Sequence, residues 1–490
     1  LFANPYALRS FPEAELAQAL LVSYQNHRDA ETAAAQVIFG AEGAQGRLPV
    51  SISATFPVGS GISTQALGRL GYAYPEEMGF DGAQLHQAID DIMQEAMSKE
   101  ATPGGQILVA RRGKVVFEKA YGYHTYAAKK PVQLSDIYDL ASVTKIAATV
   151  PLLMRLVEQG RLDLHKTLGD YLPMTHGTNK ENLKILDVLT HQARLRPWIP
   201  FYVQTLGEGE LKPEIYARRR SFEYPYTVAD QLYSNRSIQD TIYGAILASP
   251  LRAKKEYKYS DLGYYFLIKI IEQLEGRPLD QLAQEYFYEP LGASTMRFRP
   301  LATFAEERII PTEDDQVFRG QLLRGYVHDQ GAAMLGGVAG HAGLFANAHD
   351  VAKLMQMYLQ GGRYGGHTYF DSITVREFTR CQFCDADNRR GIGFDKPQFE
   401  GEPGPTCGCV SPLSFGHSGF TGILAWADPQ EEIIYVFLSN RVYPDANNRK
   451  LITLDTRTKI QEAIYEALQI TYSADTVATA LPGGPAGSPR

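Results

Sequence analysis

The sequence predicts an α+β fold. One antiparallel sheet is assembled from both ends of a long domain, flanked by helices and carrying a helical insert, with a short α/β segment in front. Three observations predict it. Residues 106–110 and 114–118 are β-rich runs joined by Arg111-Arg112-Gly113, the pattern of a tight hairpin. A second pair, 422–427 and 433–438, is joined across Asp428-Pro429-Gln430 near the other chain end. Between the two hairpins, the chain after Ser142 is mostly helical and irregular.

The elements follow in order. Residues 1–63 have their own character: a helical pattern over 14–21, a short buried strand over 21–24, an Ala-rich helix over 29–39 closed by Gly40, and an extended return over 46–50. Strand–helix–strand order suggests a parallel sheet, too short to be a complete domain. Residues 64–79 carry Gly and Tyr without a period and read as a linker. A domain over 80–472 opens at Phe80-Asp81-Gly82. From Gln84 to Met97, Leu85, Ile89, Ile92 and Met93 recur at helical spacing. A final helix is expected over 457–468. Residues 473–490 are rich in Pro, Gly and Ala and read as a disordered tail.

The chain has 490 residues, 44% of them hydrophobic and 21% charged, enough for a sizeable core in several domains. A net charge of −7 argues against a general nucleic-acid binder, and no apolar stretch is long enough to span a bilayer. Leu1-Phe2-Ala3-Asn4-Pro5 lacks an initiator Met, so the natural protein is expected to extend upstream, with any export signal there. Cys381, Cys384, Cys407 and Cys409 suit a structural zinc in type and number, although the second pair is closely spaced. Disulfides or plain thiols are the alternatives. No other cofactor is expected.

Three motifs carry chemistry. Ser142-Val143-Thr144-Lys145 precedes an apolar helical run, and residues three apart on a helix lie on one face. The Lys145 amine can therefore reach the Ser142 hydroxyl and help activate it. Tyr259-Ser260-Asp261 supplies a phenol able to shuttle a proton. In Phe415-Gly416-His417-Ser418-Gly419-Phe420, a Gly-rich edge strand allows close substrate approach, and a backbone N–H there can stabilise an oxyanion. His328 and His341 read as hydrogen-bonding loop residues. Singly, each motif is chance-prone.

In this order and with these intervals, the motifs resemble the serine β-lactamase and penicillin-binding-protein superfamily, in its class C-like esterase, peptidase and amidase branch. The resemblance covers roughly 74–472. It implies Ser142 as nucleophile, Lys145 as motif lysine, Tyr259 as the motif tyrosine, and His417-Ser418-Gly419 in place of Lys-Thr-Gly. By the same resemblance, Ser142 and Phe420 supply the oxyanion N–H groups, and Asp261, Ser418 and Gly419 face the substrate. Lys145 or Tyr259 is the base, and His417 can assist. Asp261 replaces the usual Asn and His417 the usual Lys, which argues against efficient β-lactam hydrolysis. The Gly-rich stretch 335–345 and residues 388–397 look like a subgroup containing N-acetylmuramoyl-L-alanine amidases. Arg389 or Arg390 could clamp a substrate carboxylate, the alternative being a structural ion pair with Asp395.

The front segment resembles the end of a family 3 glycoside hydrolase, closest to its β-N-acetylglucosaminidases. Tyr24-Gln25-Asn26, residues 33–41, 46–50 and 57–61 carry the likeness. It implies a glycosidase domain upstream and no glycosidase activity in this segment. Together the two resemblances imply a muropeptide substrate and an amidase cleaving the N-acetylmuramoyl-L-alanine bond, periplasmic or secreted because its substrate is. The alternatives are a D-Ala-D-Ala-type carboxypeptidase or esterase with weak β-lactamase activity and, in another class, a non-catalytic peptidoglycan-binding module.

Overall fold

Apolar runs on the two hairpins build one six-stranded sheet. In chain order its strands are β1 (Gly71–Tyr72), β2 (Gly104–Arg111), β3 (Lys114–Gly122), β4 (Phe415–Gly419), β5 (Ile423–Asp428) and β6 (Ile433–Ser439). Across the sheet they lie in the order β1-β3-β2-β6-β5-β4. All neighbours are antiparallel except β1 and β3, so the sheet is mixed at one edge. The β2–β6 pairing, from Arg111 opposite Ile433 to Gly105 opposite Ser439, joins the two ends of the domain as expected. The first hairpin turns through Arg112 and Gly113 at φ 50° and 76°. Two successive positive φ values match the twist of the strands they connect. The computed structural model describes residues 2–468, so the expected tail over 473–490 lies outside the described residues.

The helices used below are α1 (Arg28–Ile38), α2 (Gly82–Ser98), α3 (Val150–Glu158), α4 (Ile238–Ala248), α5 (Leu262–Glu275), α6 (Ala348–Leu359) and α7 (Thr456–Glu466). On one sheet face, Ile107, Val109, Trp426 and Phe437 pack with residues of α2 and α7. On the other, Leu108, Ala110, Ala425 and Val436 join the larger core with α3 and α6. Both faces are covered, so these strands are apolar without alternation. Helix α2 starts where Asp81 Oδ1 accepts from Gln84 N at 2.9 Å. Its Leu85, Ile89 and Met93 are 0% exposed, each burial worth about 1.5–3 kcal/mol. Removing one of them, as in Ile89→Ala, would cost about 2–5 kcal/mol.

The front segment keeps only part of its expected pattern. The 29–39 helix forms as α1, but 14–21 is replaced by short 3-10 turns, Pro5–Ser10 and Pro12–Leu16. The expected strands make no sheet. Val22 forms an isolated parallel bridge with Phe2, and Leu48 exchanges backbone hydrogen bonds with Gly59 and Ser60. Runs this short need several neighbours to hold a ladder, and they have none. The segment is fastened to the sheet edge: Tyr72 N donates to Gln36 Oε1 at 2.8 Å, and Lys114 Nζ to the Ala41 carbonyl at 3.2 Å. Part of the expected linker is thus strand β1.

The cysteines pair as Cys381–Cys384 and Cys407–Cys409, the disulfide alternative. Among the described residues, no helix is long and apolar enough to cross a membrane.

Candidate active site

Ser142 lies in a 3-10 turn, Ala141–Val143, ahead of the run leading into α3. The preceding Ala141 has φ 46°, a left-handed conformation costing a non-glycine residue about 1–2 kcal/mol. Buried Asp139 holds it there. Its Oδ1 accepts from Ala141 N at 2.9 Å and its Oδ2 from His328 N at 2.7 Å.

Lys145 is 0% exposed. Its Nζ donates to Ser142 Oγ at 3.0 Å, Asp261 Oδ1 at 2.6 Å and the His341 carbonyl at 3.3 Å. A lysine ammonium carries three N–H donors, so this site engages all of them. Tyr259 OH donates to Ser142 Oγ at 2.9 Å. Burial pushes the Tyr259 phenol well above its ordinary pKa, and the Asp261 charge adds to the shift. The phenol is therefore neutral at physiological pH.

His417 stands on β4 opposite Ala425. Its Nδ1–H donates to the Ser418 carbonyl at 2.7 Å. Burial pulls its pKa down to about 3, with Arg390 and Lys145 pushing the same way. A neutral imidazole with its proton on Nδ1 leaves Nε2 as an acceptor. That atom is buried and has no protein partner among the described residues. The site thus has a neutral acceptor where Lys-Thr-Gly relatives carry a cation.

Glycine at 419 brings the strand onto the nucleophile. A β-carbon there would stand 2.7 Å from the Leu140 carbonyl oxygen, which the backbone could not accommodate. Ser142, Tyr259, Asp261, Ser418, Gly419 and Phe420 line one cavity of about 630 Å³, together with His417 and Arg390. The three sequence motifs therefore converge on one cleft. The arrangement can carry out acyl transfer: a hydroxyl between an ammonium and a phenol, beside an edge strand.

The two neighbouring arginines separate. Arg389 and Arg390 both pair with Asp395, at 3.0 and 3.2 Å. Burial alone would raise the Asp395 carboxyl, but the two guanidinium charges outweigh it and hold it below its usual range. Arg389 does not line the cleft, so its expected substrate clamp is instead a structural ion pair. Arg390 is in the wall but already neutralised.

The cationic residues that sequence reasoning missed are Arg441, Arg449 and Arg457, all in the cleft wall. None forms an ion pair among the described residues. Arg441 is 4% exposed, donates to the Asn448 carbonyl at 2.6 Å, and lies 4.6 Å from the Phe420 ring centroid. Burial, then Arg457 and Arg449, pull its pKa down to about 10. Converging cations without counter-ions make an anion-seeking surface. Their sequence signal is a regular spacing of arginines from just after the last strand into the start of the last helix.

A family model described as Beta-lactamase matches residues 89–458. Proteins of Salmonella gallinarum and Salmonella typhi, each named "Putative D-alanyl-D-alanine carboxypeptidase", are 33% identical over 411 residues. The alignment covers 77% of this chain and 88% of each relative. Among solved structures, EstCE1, "a hydrolase with promiscuous acyltransferase activity", superposes with a TM-score of 0.58 at 20% identity, covering 78% of this chain and 99% of that one. A "Penicillin-Binding Protein (PBP) Homolog from Caulobacter crescentus" gives 0.53 at 18% identity, covering 78% and 98%. At such identities the two structures attest the fold.

Proposed function

Because the chain belongs to the Beta-lactamase family and is a serine hydrolase of that fold, we propose that it releases peptides from muropeptides by cleaving the N-acetylmuramoyl-L-alanine amide through an acyl-enzyme on Ser142. One observation carries this reading: the cleft joins a complete Ser142–Lys145–Tyr259 cluster to an unpaired arginine wall. A peptide leaving group with several carboxylates suits that wall. The front segment's likeness to β-N-acetylglucosaminidases adds support, since a glycosidase and an amidase on one chain would act on successive bonds of one polymer. Such a substrate places the enzyme outside the cytoplasm.

The steps follow from the protonation states. Asp261 and the His341 carbonyl hold Lys145 Nζ against Ser142 Oγ, where it orients the nucleophile. Neutral Tyr259 shuttles protons. As Ser142 Oγ bonds to the lactyl carbonyl carbon, Tyr259 oxygen takes up the serine proton only as it hands its own hydrogen to the amide nitrogen. The phenol thus stays neutral throughout, and the protonated nitrogen departs as the C–N bond breaks. Ser142 N–H and Phe420 N–H hold the oxyanion, a contribution of about 2.7–4 kcal/mol per donor in such sites. Nε2 of His417 accepts a hydrogen bond from substrate or water. Water then enters by the reverse relay and releases the acid.

A second reading, a D-Ala-D-Ala carboxypeptidase, is favoured by the names of the Salmonella relatives. The two are separated with N-acetylmuramoyl-pentapeptide and mass spectrometry. Intact pentapeptide is expected from wild type and not from Ser142→Ala. Loss of a single D-Ala would select the second reading, and an unchanged substrate would reject both.

A further inference from the structure

A second cavity, of about 770 Å³, lies in the helical insert and shares no lining residue with the catalytic cleft. Its volume is within the range of small-molecule sites, roughly 300–1,000 Å³. Tyr226 and Tyr326 supply aromatic surface to its wall. A cross-tie fixes the polar part of that wall: Lys269 Nζ donates to Gln239 Oε1 at 3.3 Å, and Gln239 Nε2 donates to Tyr226 OH at 2.7 Å. The charges nearly balance. Arg299 is paired with Asp280, Lys269 is accompanied by Glu272, and Arg220 is exposed. A purely apolar ligand would strand these donors and acceptors, and an anion or cation would find no dominant opposite charge. A neutral saccharide suits the lining, with its apolar ring faces on tyrosine and its hydroxyls among donors and acceptors of both kinds.

The cavity's walls also end on the catalytic lysine. Helix α5 contributes Ile268, Lys269 and Glu272, and the residue just before that helix is Asp261, the ion-pair partner of Lys145. Leu335–Val338 form part of another wall. Next along that segment, the Gly340 carbonyl accepts from Thr149 Oγ1 at 2.6 Å and the His341 carbonyl accepts from Lys145 at 3.3 Å. Both anionic or carbonyl acceptors that orient the Lys145 ammonium besides Ser142 are thus carried by elements that line the cavity.

We propose that this cavity is a second ligand site for a neutral saccharide, and that its occupancy alters acyl transfer at Ser142 through Asp261 and His341. The coupling rests on Ser142 being the nucleophile; the binding does not. Calorimetry with N,N′-diacetylchitobiose or cellobiose tests binding, and hydrolysis of p-nitrophenyl acetate reads Ser142 whatever the natural amide substrate. The expected result is saturable binding that survives phosphonate labelling of Ser142 and weakens at least tenfold in both Tyr226→Ala and Lys269→Ala. The saccharide should change the wild-type ester rate threefold or more, and neither variant should respond while both keep the wild-type rate without saccharide. Circular dichroism confirms that both variants are folded. No binding to wild type, undiminished binding in the variants, binding abolished by the phosphonate, or an ester rate indifferent to saturating saccharide would each overturn the proposal.

Discussion

Asp261 Oδ1 stands 2.6 Å from Lys145 Nζ, forming an ion pair in which the lysine side chain is 0% and the carboxylate 20% exposed. The pair sits where relatives with a Tyr-x-Asn motif have an uncharged amide. Removing one partner of a buried pair costs about 3–5 kcal/mol, and partial exposure of Asp261 lowers that to about 1–3 kcal/mol. Asp261→Asn is expected to lose this much in a urea titration and to slow ester hydrolysis at least tenfold, because the ammonium is no longer held against Ser142. An unchanged unfolding midpoint and rate would show that the pair carries neither role.

Tyr259 is assigned to the proton relay as a neutral phenol. Tyr259→Phe keeps the ring against His191, whose centroid is 4.5 Å away, and removes only the hydroxyl. The rate constant for acylation should fall about 10²–10⁴-fold, the usual contribution of a positioned acid–base group. Since the phenol's pKa is raised well above 10, the deficit should be constant from pH 6 to 9. A deficit that shrinks as pH falls would mean that a phenolate, not a phenol, does the work.

Arg441 is expected to select for anionic leaving groups. Arg441→Ala should reduce kcat/KM for a carboxylate-bearing muropeptide by roughly 10–150-fold, equivalent to about 1.5–3 kcal/mol for a charged hydrogen bond. Hydrolysis of the neutral p-nitrophenyl acetate should change less than threefold. Equal losses on both substrates would point to disturbance of Phe420, on whose ring Arg441 rests.

The two hairpins, helix α2 and the three motifs were legible in the sequence because each is set by local rules. Turn residues fix Arg112-Gly113, helical spacing fixes Leu85, Ile89 and Met93, and the motifs carry their own residue types. What escaped was determined by long-range placement. Asp139 is an ordinary acid in sequence, and only the fold puts its two oxygens on Ala141 and His328. The carbonyl of His341 was hidden for the same reason: any backbone has one, and the fold alone aims this one at Lys145. Arg389 and Arg390 are adjacent in sequence, yet only Arg390 reaches the cleft. The front strands failed because a short buried or extended run becomes a strand only where neighbours exist to pair with it.

His417 makes a stability prediction whose sign follows from its environment. Its native pKa is about 3, below the ordinary value of 6.5 for an exposed imidazole. Between these values the unfolded chain binds a proton that the folded chain refuses, so stability rises with pH across the window. The contribution is whole above about pH 6.5 and is lost as pH falls toward 3, with a limiting slope of about 1.4 kcal/mol per pH unit. His191, also held below its ordinary value by burial, acts in the same direction. Guanidinium titrations of wild type should therefore show midpoints that fall from pH 7 to pH 4.5. His417→Gln, which keeps a buried polar side chain but cannot titrate, should flatten that dependence by close to one proton. A variant with the wild-type slope would mean that His417 is charged in the folded protein, and the neutral acceptor at Nε2 would have to be abandoned.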